Sequence, residues 1–430
     1  MTRPIAHAIG RLAGAAIAAV FVLSQPAAIA QPAGQWVATW GTAPAGSPLA
    51  AATQTFNDQT VRMIVHTSVG GSKVRVRISN ELGAVPLRIG AARVALRDSA
   101  SAIAPGTDRV LTFSGSAAIA IPPGAPMLSD PVALDVPAGA DLAVSIHLPG
   151  ETQATTSHGS AFQTSYVSAA GDFTAAPDLP IDRKITFWPF LTQVDVLARG
   201  PAEAIVAFGD SITDGAITTL DANRRWPDVL ARRLRAAGHA NVGIVNRGIG
   251  GNRLLRDPGV HPMFGRAALA RFERDVLATT GVRHLVVLIG INDIGHPGSD
   301  SAPPAEAVAA GDLIAGYRQL IARARAHGIK VVGATLTPFE GTVFPRYYSE
   351  PKEQVRVVVN AWIRNGKEFD GVIDFDLALR DPDRHARVLP AYDSGDHLHP
   401  NDAGMQAMAE AIPLGLFGGA PKLAGPKRRR

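Results

Sequence analysis

The hydrophobic period of this chain changes near residue 200, and that change restricts the fold more than any single motif does. From about 36 to 196 apolar residues recur at every second position: Val61, Met63 and Val65, then Val74, Val76 and Ile78, then Leu142, Val144, Ile146 and Leu148. Successive side chains of a strand point to opposite faces, so this spacing predicts strands with one face buried. Gly70-Gly71, between two of these runs, reads as a hairpin turn. Short strands punctuated by Gly and Pro, with almost no helical stretch, predict a β-sandwich. After Gly200 the runs "AIVAF", "VGIVN", "HLVVLIG", "KVVGATL" and "GVIDF" alternate with helical segments near 226–237, 305–327 and 353–367 and from about 401. Apolar strands separated by amphipathic helices predict an α/β fold with a parallel sheet covered on both faces.

At 430 residues the chain exceeds what one core accommodates, which agrees with two domains. The joining segment 187–196, "FWPFLTQVDV", is bulky and apolar rather than rich in Gly and Ser, and predicts domains packed over an apolar interface. A formal charge of +5 does not mark a nucleic-acid binder here. Arg3, Arg11, Lys422, Lys427, Arg428, Arg429 and Arg430 lie near the two ends, and without them 35 basic residues face 37 acidic ones. Arg3 and Arg11 precede an apolar run over 12–23, and Ala28-Ile29-Ala30 follows, the order of an export signal cut before Gln31. That run is shorter than the roughly 20 residues of a membrane span, so no transmembrane segment is expected after cleavage. The expected organisation is a signal peptide over 1–30, a β-sandwich-like domain over 31–199, an α/β domain over 200–418 and a solvated basic tail over 419–430, in a secreted or periplasmic protein. The sequence has no cysteine, so any nucleophile is of another type.

In open parallel sheets ligands bind beyond the carboxyl ends of the strands. Ser211, Gly250-Gly251, Asn292 and Thr337-Pro338 each follow such an end. A serine hydroxyl attacks a carbonyl only when a base takes its proton and a third group orients the base. "YDSGDHLHPND" supplies both, with Asp396 three residues before His399. The tetrahedral intermediate needs donors for its oxyanion; Ser211 N–H, a glycine N–H of the Gly250-Gly251 turn and the Asn292 amide would provide them. Each feature alone has a plainer reading: Ser211 as a helix cap, Asp214 as a turn former, Asn292 and Asp293 closing a turn, and Asp393, Asp396, His397 and His399 as metal ligands. His66, His147 and His158 read as ordinary sheet or loop residues. The glycines at 248–251 lack the Gly-Lys-Ser/Thr of a phosphate loop, and Ser211 is not in a Gly-x-Ser-x-Gly elbow.

Together "FGDSITDG", "NRGIGGN", "GIND" and "DHLHP", in this order over about 203–413, resemble the four motif blocks of the SGNH hydrolases, the GDSL esterases and lipases. The first half, with "WVATWGTAP" and "VHTSVGGSKVRVRISN", resembles the front domain of secreted two-domain members. The resemblance implies a flavodoxin-like α/β/α sandwich and no metal or organic cofactor. It implies Ser211 as nucleophile, Gly251 and Asn292 completing an oxyanion hole with Ser211 N–H, and His399 as base oriented by Asp396. Two departures stand out. Gly250-Gly251 replaces a single glycine, with Gly251 chosen by its spacing to Asn252, and His397 competes with His399, which the D-x-x-H-P spacing favours. The expected activity is hydrolysis of carboxylic esters through an acyl-enzyme, foremost short acyl groups such as acetyl on carbohydrate. The alternatives are a lipase or lysophospholipase acting on longer chains and, from another class, an inactive carbohydrate-binding protein. Oligomeric state is not legible.

Overall fold

A computed structural model describes residues 34–47 and 54–417; the expected signal peptide and basic tail lie outside the described residues. Two antiparallel sheets form the first half. In one, Leu191–Ala198 lies between Gln35–Gly41 and Gly71–Ser79, and the latter also pairs with Val132–Val136 and Pro126–Leu128. In the other, Thr55–His66 and Asp141–Gln153 form the long central pair, flanked by Ser165–Ala170, Ile181–Ile185, Ala91–Leu96 and Arg109–Val110. Val65, Val76, Val144 and Val194 meet in the core between the sheets, as sandwich packing requires.

The Gly70-Gly71 expectation is corrected. Thr55–His66 and Gly71–Ser79 belong to different sheets, so the glycines form an arch across the sandwich and not a hairpin. The backbone passes so close to its neighbour that a Cβ on Gly70 would lie 2.5 Å from the Val136 carbonyl oxygen. The polar positions of the strand are not all wet either. Arg62 is fully buried, donating to Ser145 Oγ at 2.8 Å and to the Ser101 and Ala176 carbonyls.

From Glu203 onward five parallel strands form one sheet in the order Val242–Gly248, Glu203–Gly209, Val282–Leu288, Lys330–Ala334, Gly371–Ile373. This is the 2-1-3-4-5 order of flavodoxin-like folds, with its switch point beside Glu203–Gly209. Both faces are covered by helices. Trp226–Ala236 packs with Asp402–Glu410, and Ala310–Ala326 packs with Glu350–Asn365. The strands bury nearly every side chain, including Ile205, Val206, Phe208, Val286 and Val331, which accounts for their unbroken apolar runs.

The seam between the halves also departs from expectation. Phe190, Leu191, Val194 and Val196 of the joining segment turn into the sandwich core, and of its large apolar side chains Trp188 also meets the other half, with the Arg225 guanidinium 5.7 Å from its ring centroid. The seam itself is rich in buried polar bonds. Ser68 Oγ accepts from Ile244 N at 2.9 Å, Ala38 N donates to Thr280 O at 3.0 Å, and the fully buried Arg247 donates to Thr192 O and Gln193 Oε1. Burial lowers the Arg247 guanidinium only to about 10, so it stays charged at neutral pH.

Candidate active site

The strand Glu203–Gly209 ends under the site, and the chain turns at once into a four-residue helix, Ser211–Asp214. Asp210, not Ser211, caps that helix: its Oδ1 accepts from Ile212 N at 3.1 Å. Ser211 is therefore the first helical residue, with its hydroxyl left for other partners. Burial pushes the Asp210 carboxyl up to about 7.

The histidine block reaches Ser211 from the far end of the chain. Pro400 and the cap Asn401, whose side chain accepts from Gly404 N at 3.0 Å, start the helix Asp402–Glu410 directly after His399 and fix where the loop ends. Ser211 Oγ–H donates to His399 Nε2 at 2.8 Å, and His399 Nδ1–H donates to Asp396 Oδ2 at 2.6 Å. Asp396 Oδ1 also accepts from Leu398 N and His399 N, at 2.9 and 2.8 Å. Burial works against the Asp396 charge, but His399 and these amides outweigh it and hold the carboxyl well below the usual carboxylate range. His397 is bonded through Nδ1 to Asp393 and takes a left-handed φ of 57°. The four acidic and imidazole groups thus form two separate pairs, and the bond to Ser211 is made by His399.

Of the two glycines, Gly251 has φ 73° and a Cβ there would lie 2.3 Å from the Phe264 ring, whereas a Cβ on Gly250 would meet open space. The N–H of Gly251 donates to no carbonyl among the described residues. Asn292 is buried at the start of the turn Ile291–Gly295, where it donates through Nδ2 to Asn252 O at 3.0 Å. An amide nitrogen carries two hydrogens, so one is left for a ligand.

Several supporting residues escaped the sequence reading. Tyr347 O–H donates to Asn292 Oδ1 at 2.7 Å, which fixes the flip of the amide and turns Nδ2 to its other partners. Nothing in "FPRYYSEP" signals that contact. Asp293 accepts from Leu254 N and Leu255 N at 2.6 and 2.9 Å, joining the Asn292 turn to the glycine loop; burial pushes its carboxyl up to about 6. Asn252, visible in "GGN", holds the Phe264 and Arg266 carbonyls through Nδ2. The fully buried Arg271 bonds Asn252 Oδ1, Arg247 O and Gly209 O beneath the strand ends.

Ser211, Gly251, Asn292 and His399 line one cleft of about 330 Å³, walled by Phe264, Phe344, Pro345 and Leu398. Phe344 meets the His399 ring edge-on, with centroids 6.2 Å apart. Thr337-Pro338 is not part of this cleft; Thr337 is buried. Among the described residues no helix is long and apolar enough to cross a membrane.

Comparison with known proteins bears on the same half of the chain. Residues 207–407 match the model of the GDSL-like lipase/acylhydrolase family. Among solved structures, a GDSL-like lipase from Bacteroides thetaiotaomicron is 20% identical with a TM-score of 0.36, covering 50% of this chain and 87% of its own. An acetyl xylan esterase from Geobacillus stearothermophilus, solved as a variant, is 22% identical with a TM-score of 0.39, covering 51% and 96%. No curated protein matches the chain. Residues 207–407 thus form a domain of the GDSL-like lipase/acylhydrolase family, and the protein is a hydrolase acting on esters.

Proposed function

We propose that the protein is an exported serine esterase that works through an acyl-enzyme, with Ser211 as nucleophile, His399 as base and Asp396 orienting it. The observation that carries this reading is the unbroken chain Asp396–His399–Ser211, at 2.6 and 2.8 Å, opening into the cleft that Asn292 and Gly251 also line. His399 Nε2 takes the serine proton as Oγ attacks the ester carbonyl. Asp396, held ionised, keeps the Nδ1 proton in place and stabilises the imidazolium that forms. Ser211 N–H, Gly251 N–H and the second Asn292 amide hydrogen receive the oxyanion. The proton on Nε2 passes to the leaving alcohol, and water repeats the sequence on the acyl-enzyme.

For the substrate we propose a short acyl group, acetyl foremost, on a carbohydrate. The expected export signal and the large β-sandwich support a polymeric substrate outside the cytoplasm. The walls of the cleft favour a second reading, longer acyl chains, because Phe264, Phe344, Pro345 and Leu398 offer a hydrocarbon chain an apolar surface. A panel of esters from acetyl to palmitoyl, run beside acetylated polysaccharides on wild type and Ser211→Ala, tests both. The proposal expects the highest kcat/KM on acetyl esters and a loss on the order of 10³-fold or more with Ser211→Ala. A maximum at long chains selects the second reading, and no hydrolysis of any ester selects the inactive binding protein.

A further inference from the structure

The nucleophile helix cannot hold itself. Four residues make a single turn, too short to be stable by its own hydrogen bonds. The parallel sheet supports one side, where Asn246 Nδ2 donates to Thr213 O at 2.7 Å. The other support comes from the β-sandwich, at three points along 158–164.

His158 is the first. It is 3% exposed, and its Nε2 lies 2.8 Å from Asp214 Oδ1, on the last residue of the helix that Ser211 begins. Its Nδ1 lies 2.9 Å from the Ala43 carbonyl oxygen. The carbonyl only accepts, so Nδ1 donates to it, and Nε2 shares the second hydrogen bond with Asp214 Oδ1. Burial disfavours a charged ring, but Asp214 beside it outweighs burial and raises the affinity of His158 for its proton. Trp188 stacks on the ring, with centroids 5.8 Å apart. The second point is the Ala161 carbonyl, which Arg225 ties to Asp214 O, the latter at 2.9 Å. The third is 163–164, where Gln163 Nε2, Thr164 N and Thr164 Oγ1 donate to the Asp221 carboxylate at 2.6, 2.5 and 2.7 Å. Between Asp214 and Asp221 the chain contributes Ala216 to the cleft.

We propose that the β-sandwich positions the nucleophile: His158, bonded to Asp214, clamps the turn that carries Ser211, with Ala161 and 163–164 clamping the loop behind it. His158 is a positioning residue, because it acts on the reaction through Asp214 and touches no reacting atom. The inference rests on Ser211 being the nucleophile, as proposed above. A purely structural ion pair at a domain seam would set thermal stability and leave turnover alone. A clamp sets the placement of Ser211 Oγ against His399 and the oxyanion donors, and so sets kcat.

The test uses the full chain and three variants. His158→Phe fills the space and keeps the stacking but donates to neither partner, His158→Gln restores one amide donor, and Asp214→Asn keeps the shape of the acceptor. Active sites are counted with a fluorophosphonate, and kcat and KM are measured on p-nitrophenyl acetate. A misplacement of the order of 1 Å costs up to about 100-fold, so His158→Phe should lower kcat per active site by about 10- to 100-fold with KM within about twofold. His158→Gln should recover at least about fivefold of that loss. Asp214→Asn added to His158→Phe should cost less than about twofold more, as expected of two residues acting through one bond. Wild-type kcat with only a lower Tm would overturn the clamp. If His158→Phe does not fold, Asp214→Ala, which removes the partner of His158 Nε2, carries the same readout, and its kcat should fall by about 5- to 20-fold; an unchanged kcat overturns the proposal. If wild type hydrolyses no ester, or Ser211→Ala is as active, the esterase reading falls instead. The clamp is then judged by the rate at which the fluorophosphonate labels Ser211: about tenfold slower in His158→Phe supports it, and an equal rate overturns it.

Discussion

Two carboxylate–imidazole pairs lie within seven residues, Asp393 with His397 and Asp396 with His399, and they share chemistry but not surroundings. The His397 side chain is 48% exposed and sits on a left-handed turn, whereas that of His399 is 10% exposed and its second nitrogen meets a serine hydroxyl. Acid and imidazole stand three or four residues apart in both, and the D-x-x-H-P spacing that favours His399 gives no physical reason for the choice. The third partner does: a base is useful only where a proton is waiting for it.

The largest effects should follow from breaking the inner pair. Ser211→Ala and His399→Ala should each keep the fold and lower kcat by a factor on the order of 10³ to 10⁶, and combining them should add little, because they act as one unit. Steady-state rates on p-nitrophenyl acetate check this. If His397→Ala were the dead variant and His399→Ala active, the assignment of the base would be reversed.

Next comes the oxyanion side of the same cleft. Asn292→Ala should lower kcat by about 10²- to 10³-fold with little change in KM. A rise in KM at constant kcat would mean that Asn292 binds the ground state. Tyr347→Phe, which removes only the hydroxyl on Asn292 Oδ1, should cost about 3- to 30-fold in kcat, and nothing further in the Asn292→Ala background. Equal losses in both backgrounds would show that Tyr347 acts elsewhere.

The smallest effects belong to the outer pair and to stability. His397→Ala should change kcat by less than about threefold. Asp396 has its carboxyl held below its unfolded value, so its contribution to stability is present above the usual carboxylate pKa and lost as pH falls below it. Replacing Asp396 by Asn should therefore lower Tm at pH 7, and the gap to wild type should narrow as the pH of the melt drops through the acid range. A gap independent of pH would mean that the lost stability is packing rather than charge.

The parallel sheet and its rim were legible because both leave local marks. Strands buried on two faces read as unbroken runs such as "HLVVLIG", and after their ends Ser211, Gly250-Gly251 and Asn292 fall together by topology, whereas Thr337-Pro338 stays outside the cleft. Other features depend on partners far away in the chain. Gly70-Gly71 looks the same whether the next strand pairs with the last or crosses to the facing sheet, since alternation reports a buried face and not the identity of the neighbour. "FWPFLTQVDV" announces burial without saying in which core: its apolar side chains pack in the sandwich, while Gln193 and Asp195 bond across the seam to Arg247 and Thr280. The Tyr347–Asn292 bond spans 55 residues and the His158–Asp214 bond 56, with no periodicity to betray either.

The central claim is that Ser211 carries the acyl group because His399, and not His397, activates it. Acid quenching during turnover of p-nitrophenyl acetate, followed by peptide mass spectrometry, tests this directly. The account predicts an acetylated peptide bearing Ser211 in wild type and in His397→Ala, and none in His399→Ala on the same time scale. An acyl group on another residue, or equal acylation of Ser211 without His399, would contradict it.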